Sequence, residues 1–139
     1  MRIMGLDVGE KRIGIALSDP MGWTAQAHSV LQRKNLKQDF AHLKKLCQEN
    51  EVEKIIVGFP RNMNGTIGPK ALEIEEFARA MNECIRLPLE FWDERLSSVS
   101  AEKTLLEADL SRRKRKMLID KLAAANILQT YLDSKRNID

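Results

Sequence analysis

Arg2-Ile3-Met4-Gly5-Leu6-Asp7-Val8-Gly9-Glu10-Lys11-Arg12-Ile13-Gly14-Ile15-Ala16-Leu17-Ser18-Asp19 holds two apolar, Ile-bearing runs separated by one short charged segment. Each run reads as a buried strand, and the segment between them turns the first straight back into the second. Asp7 ends the first strand. A charge inside such a run costs several kcal/mol unless it is paired or binds a metal. The glycines around it clear side-chain bulk, so a backbone or ligand can approach closely. Asp7 is therefore a candidate metal-binding carboxylate. The competing reading is a strand-end aspartate that caps nearby backbone N–H groups.

Outward from this hairpin, Gly22 to Leu31 reads as a third, more exposed strand. Lys37 to Asn50 carries Phe40, Leu43, Leu46 and Cys47 at helical spacing, which makes an amphipathic helix. The apolar run Lys54 to Pro60 suits a parallel strand covered on both faces. A polar loop, Arg61 to Pro69, leads to a second amphipathic helix over Lys70 to Ile85. Leu87 to Arg95 is the next strand and also ends in acid, at Asp93-Glu94. From Leu96 the chain reads helical, with a break near Asp109 to Arg112, a helix cap at Ser111 and a continuation through Tyr131. The order β-β-β-α-β-α-β-α predicts an α/β fold. Its mixed sheet is antiparallel through the first three strands, then parallel, and is flanked by helices.

In such a sheet, ligands gather at the carboxyl ends of the parallel strands, which is where Asp7 and the Asp93-Glu94 pair fall. A third acid, Asp120, shares its helix face with Met117, Ala123, Ala124, Ile127 and Tyr131. It thus interrupts a buried stripe; the alternative is a surface ion pair with Lys116 or Lys121. Carboxylates converging from two strand ends and one helix suit Mg²⁺ or Mn²⁺, hard cations that prefer oxygen donors. Paired ions of this kind hydrolyse phosphodiesters.

Three segments taken together, Leu6-Asp7-Val8-Gly9 to Ala16, Asp93-Glu94-Arg95-Leu96-Ser97-Ser98, and Asp120 to Leu132, resemble the YqgF family. That family is described as Holliday-junction resolvase-like or as a nuclease of pre-16S ribosomal RNA, with the ribonuclease H-like fold. The resemblance spans the chain in order. It implies Asp7, Glu94 and Asp120 as catalytic, metal-binding acids, and it alone favours Glu94 over Asp93. It also implies a Mg²⁺ or Mn²⁺ cofactor and nucleic-acid contacts from Arg12 and Arg95. The basic run Arg112-Arg113-Lys114-Arg115-Lys116 precedes Asp120 and is placed to bind phosphates. Arg61, in a loop longer than most βα connections, joins these as a nucleic-acid contact. For Arg12, a salt bridge with Glu10 or Asp19 is the competing reading; for the run, a solvated face; for the Arg61 to Pro69 loop, a merely irregular connection.

Composition sets the limits. A chain of 139 residues, 43% hydrophobic and 31% charged, predicts one domain over residues 1–139. Aromatics at 5% disfavour a base-stacking platform, so Trp23 and Trp92 are expected in the core. A net charge of +3 is compatible with a polyanionic partner. Cys47 and Cys84 show no metal-type spacing and read as free, mostly buried thiols in a reducing cytoplasm. No membrane span is legible. The favoured partner is nucleic acid, either pre-rRNA within the small-subunit precursor or branched DNA, bound by a monomer or weak homodimer. Symmetric cutting of a four-way DNA junction needs a two-fold dimer, and no exposed apolar stripe announces one, which favours RNA. Two other classes compete: an RNA-binding ribosome-assembly factor without catalysis, and an actin-like ATPase domain, suggested by the Asp7-Val8-Gly9 hairpin.

Overall fold

The computed structural model describes residues 1–60, 68–93 and 112–136. Its elements run β1 (Arg2–Val8), β2 (Arg12–Ser18), β3 (Ala25–Gln32), α1 (Leu36–Glu49), β4 (Val52–Phe59), α2 (Pro69–Ile85), β5 (Leu89–Asp93) and the C-terminal helix α3 (Arg112–Arg136). The expected break near Asp109 to Arg112 and the Ser111 cap fall outside the described residues. The five strands form one sheet in the order β3-β2-β1-β4-β5. β1 pairs antiparallel with β2, and β2 with β3, while β4 runs parallel to both β1 and β5. The mixed sheet expected from the element order is the one observed.

Strand alternation divides the apolar residues between two layers. Met4, Leu6 and Val8 of β1, Ile13, Ile15 and Leu17 of β2, and Ile55, Val57 and Phe59 of β4 pack with α1 and α2. Ala16 and Ile56 face the other way, against Ala124, Ile127, Leu128, Tyr131 and Leu132 of α3. Both faces of the central strands are thus covered, which explains why β4 reads as a nearly unbroken apolar run. An edge-on contact between Phe40 and Phe77, ring centroids 5.2 Å apart, joins α1 to α2.

Local chemistry sets the helix ends. The Asn35 side chain accepts from the Gln38 N–H at 2.9 Å, and buried Asp39 accepts from the Lys34 N–H at 3.1 Å. The first contact satisfies a donor that the start of α1 leaves without a backbone partner, and the second ties the residue before the cap to the first turn. α2 starts with Pro69 in its first turn and stops at Arg86, whose φ of 56° is left-handed and whose N–H reaches the Asn82 carbonyl at 2.9 Å. A side chain resists that conformation where glycine does not. Arg86→Gly is therefore expected to raise stability by about 1 kcal/mol, read as a higher urea midpoint at unchanged slope. An unchanged or lower midpoint would show that the Arg86 side chain compensates.

α3 is fastened to the sheet by polar contacts as well as by its apolar stripe. Lys54 Nζ donates to Glu90 Oε2 at 2.8 Å and to the Tyr131 hydroxyl at 2.7 Å. The shared hydrogen bond holds the Glu90 carboxyl below, and the Lys54 ammonium above, its ordinary range. The Trp92 indole N–H donates to Thr130 Oγ1 at 2.9 Å. At the opposite edge Gln129 accepts from the Ala25 N–H at 2.9 Å and donates to the Trp23 carbonyl at 3.2 Å.

Two expectations are corrected. Trp92 does pack against α3, but Trp23 is 52% exposed. It lies in the β2–β3 turn, whose backbone is held by Asp19 accepting from the Trp23 and Thr24 N–H groups, and the Arg136 guanidinium lies over its ring, 5.5 Å from the centre. Cys47 is buried, and burial pushes its thiol up to about 11, whereas Cys84 is exposed. Cys84 lies in the last turn of α2, next to its C-terminal end.

Candidate nucleic-acid and metal site

The site grows from the β1–β2 turn. The Gly9 N–H donates to the Arg12 carbonyl at 2.8 Å and closes the hairpin. Arg33, just beyond β3, grips this turn twice: its N–H donates to the Lys11 carbonyl at 2.9 Å and its guanidinium to the Gly9 carbonyl at 2.7 Å. The same guanidinium lies over the Phe77 ring, 4.8 Å from its centre. Sequence reasoning missed Arg33, because its role exists only once β3 is in register with β2.

Arg12 opens β2 and points to the α3 face, in phase with Gly14 and Ala16. There its Nε donates to Asp120 Oδ2 at 2.7 Å, with both side chains about three-quarters covered. Among the described residues, the competing pairings do not form: Arg12 holds neither Glu10 nor Asp19, and Asp120 does not hold Lys121. The two residues hold each other across 108 positions of chain.

Asp7 lies on the same face, in phase with Ile3 and Gly5 and directly opposite Gly14 across the β1–β2 ladder. A Cβ at Gly14 would lie only 2.0 Å from the Asp120 carbonyl oxygen. The backbone carrying Asp120 is thus seated on the residue paired with Asp7. Opposed residues on antiparallel strands have Cα atoms about 5 Å apart, so these two acids belong to one end and one face of the sheet. Asp7 is half-buried and is itself engaged by other groups. An open cleft of about 370 Å³, lined by Gly9, Glu10, Lys11, Arg12 and Asp120, runs beside them. On the other side of the turn a cavity of about 250 Å³ lies beneath α2, between Arg33, Lys70, Glu73 and Phe77.

Asp93 shares the face of Leu89 and Phe91, away from α3. Glu94, Arg61 and Arg95 lie outside the described residues. Of the basic run, Arg112 and Lys114 are exposed on the first turn of α3. Arg112 lies eight positions before Asp120, about 12 Å along the axis. The donors gathered here are carboxylates, which suit Mg²⁺ or Mn²⁺ better than a softer ion. Among the described residues no three acids, histidines or cysteines cluster closely enough to hold a metal by themselves. Asp7 and Asp120 fit a hard-cation site that takes its remaining ligands from another acid and from water.

A mixed sheet in this strand order, with acids at one end under a C-terminal helix, is the ribonuclease H-like architecture used by resolvases. Structure comparison agrees. Thermus thermophilus RuvC in complex with Holliday junction substrate superposes with a TM-score of 0.62 at 14% identity, covering 99% of this chain and 96% of that one. The fowlpox virus Holliday junction resolvase gives 0.58 at 16% identity, over 97% and 99%. Residues 1–134 match the family described as "RuvX: Holliday junction resolvase". A Syntrophomonas wolfei protein named "Putative pre-16S rRNA nuclease" is 71% identical over 96% of this chain and 94% of its own length. A Heliobacterium modesticaldum protein of the same name is 53% identical over 99% and 93%. The chain belongs to the RuvX family, the YqgF family of the sequence resemblance. Among the described residues no helix is long and apolar enough to cross a membrane.

Proposed function

We propose that this chain is a metal-dependent endonuclease that hydrolyses phosphodiester bonds in structured nucleic acid, with the 5′ end of precursor 16S ribosomal RNA as its substrate. The observation that carries the reading is the seating of the Asp120 backbone on Gly14, the ladder partner of Asp7, on the α3 face of the sheet. Asp7, Glu94 and Asp120 are the acids assigned to the site. The turning of Asp93 toward the α2 side favours its neighbour Glu94. Mg²⁺ or Mn²⁺, when bound, supplies Lewis-acid stabilisation of the phosphoryl oxygens and activation of a water. The carboxylates hold and orient the ions. Arg12, Lys11 and the first turn of α3 hold the phosphates on either side of the scissile bond.

The RNA assignment is supported by the names carried by relatives at 71% and 53% identity. The family description favours a four-way DNA junction as the second substrate. One experiment separates the readings: Mn²⁺-dependent cleavage of pre-16S RNA and of four-way DNA, with wild type and Asp7→Asn side by side. RNA cleavage by wild type alone is the expected result. Junction cleavage alone would move the chain to DNA resolution, and tight RNA binding with no cleavage in any metal would make it an assembly factor.

The basic run gives a separate prediction. Phosphate contacts carry no base information and act by counterion release. Replacing Arg112, Arg113 and Arg115 with alanine is expected to weaken binding to all sequences alike. Each lost contact should flatten the slope of log K against log salt by roughly 0.7–0.9, with the fold intact. A triple variant with unchanged affinity and slope would reduce the run to a solvated face. Arg61 and Arg95 are assigned to the same substrate path, together with Lys114 and Lys116.

A further inference from the structure

We propose that Arg12 is a latch on Asp120, so that the metal site fills when nucleic acid draws Arg12 away. The inference rests on the reading of Asp120 as a metal ligand. Arg12 Nε donates straight to Oδ2 at 2.7 Å, in a pair whose members are 21% and 24% exposed. A carboxylate oxygen that accepts a charged N–H along its lone pair does not offer that lone pair to a cation. The guanidinium beside it also repels a divalent ion.

Neither partner is free to withdraw. Asp120 is held because its backbone is seated on Gly14, and Arg12 because Arg33 clamps the turn that precedes it. The two therefore part by rotation of the Arg12 side chain into the cleft that both residues line. That cleft is where a sugar-phosphate backbone would pass the acids. A phosphate is a preferred partner for a planar guanidinium and can take it in a bidentate grip. Nucleic acid thus gives Arg12 a second partner and leaves Asp120 open to the ion. By linkage, the ion tightens nucleic acid by the same factor by which nucleic acid tightens the ion. Arg12 is a positioning residue here: it acts on the metal through Asp120, and it keeps an unengaged nuclease poorly loaded.

The test is calorimetric titration of the full-length chain with Mn²⁺, for wild type, Arg12→Gln and Lys11→Gln. Lys11→Gln removes the same charge from the same turn without touching the Asp120 pair. Arg12→Gln is expected to bind Mn²⁺ roughly five- to ten-fold more tightly than wild type, from the loss of a competing ion pair. Lys11→Gln should change affinity by less than about two-fold, since an exposed charge is screened by solvent and salt. A second titration uses Ca²⁺, whose looser coordination fills oxygen sites without octahedral demands, in the presence of saturating pre-16S RNA stem. The RNA should tighten Ca²⁺ more in wild type than in Arg12→Gln.

Equal Mn²⁺ affinity for wild type and Arg12→Gln would overturn the latch and leave the metal reading standing. Equal tightening by Lys11→Gln would also overturn it, since a general field would then be the cause. Should Arg12→Gln fail to fold, Arg12→Met provides the same comparison, because it keeps an apolar stem of similar volume and loses the charge and its N–H donors. Its expected Mn²⁺ affinity lies above wild type, and an affinity equal to wild type sinks the latch. If no variant binds either ion, with or without RNA, the latch falls together with the metal site.

Discussion

Gly14→Ala is expected to cost about 3 kcal/mol or more, at or beyond the upper end of ordinary overpacking. The added methyl would sit 2.0 Å from the Asp120 carbonyl oxygen and 3.5 Å from the Ala124 Cβ. The first of these is backbone in the interior of a helix, so no rotamer change relieves it. α3 must lift away from β2, and its apolar contacts through Ala124, Ile127, Leu128, Tyr131 and Leu132 loosen together. A loss of this size lowers a melting temperature by on the order of 10 °C in a domain of this length. It is also a large share of the ~5–15 kcal/mol that holds a typical domain folded. Nucleic-acid cleavage should fall in parallel, because Asp120 moves with the helix. A Gly14→Ala protein that melts within a degree or two of wild type would mean that α3 is not seated on β2 at this point.

Asp7→Asn is the second large effect, and it should fall on activity alone. Removing one charge from a site that stabilises the reacting phosphate is expected to cost several kcal/mol of transition-state stabilisation, a loss of roughly 10³-fold or more in cleavage rate. The change is nearly isosteric, and under the proposed grouping of Asp7 with other carboxylates it removes like-charge repulsion. Melting temperature should therefore stay level or rise. RNA affinity measured without metal should also survive, since the phosphate grip belongs to the basic side chains. A large drop in melting temperature with cleavage retained would return Asp7 to the role of a strand-end cap.

The two outcomes separate two kinds of position at one end of the sheet. Gly14 matters for the space it leaves, and Asp7 for the charge it brings. They are ladder partners, yet the expected damage is to stability in one case and to chemistry in the other.

Much of this was legible in residue order. Alternating and continuous apolar runs specify five strands, and the hairpin followed by crossover helices specifies a mixed sheet, because periodicity and connection geometry are local properties of the chain. Helix and strand limits moved by a few residues, as where Asn35 caps α1 and starts it at Leu36. Asp7 drew attention because a charge in an apolar strand is costly wherever the strand goes. Asp120 did so because its helix face is apolar.

What those charges do with one another was a different matter. Local spacing offered Arg12 the acids Glu10 and Asp19, and offered Asp120 the lysines beside it. The fold gave each to the other, because the seating of α3 on Gly14 is a fact about two surfaces with no trace in either segment. The same holds for Arg33, which clamps the turn only through the register of β3 on β2, and for Trp23, whose exposure follows from where the hairpin ends beyond the sheet. The sequence by itself determined the elements, their order and which acids were anomalous, since each of these depends on neighbours within a turn or a strand. Only the tertiary structure decided the pairing of Arg12 with Asp120 and the approach of α3 to Asp7, since contacts between distant segments are set by packing of the whole.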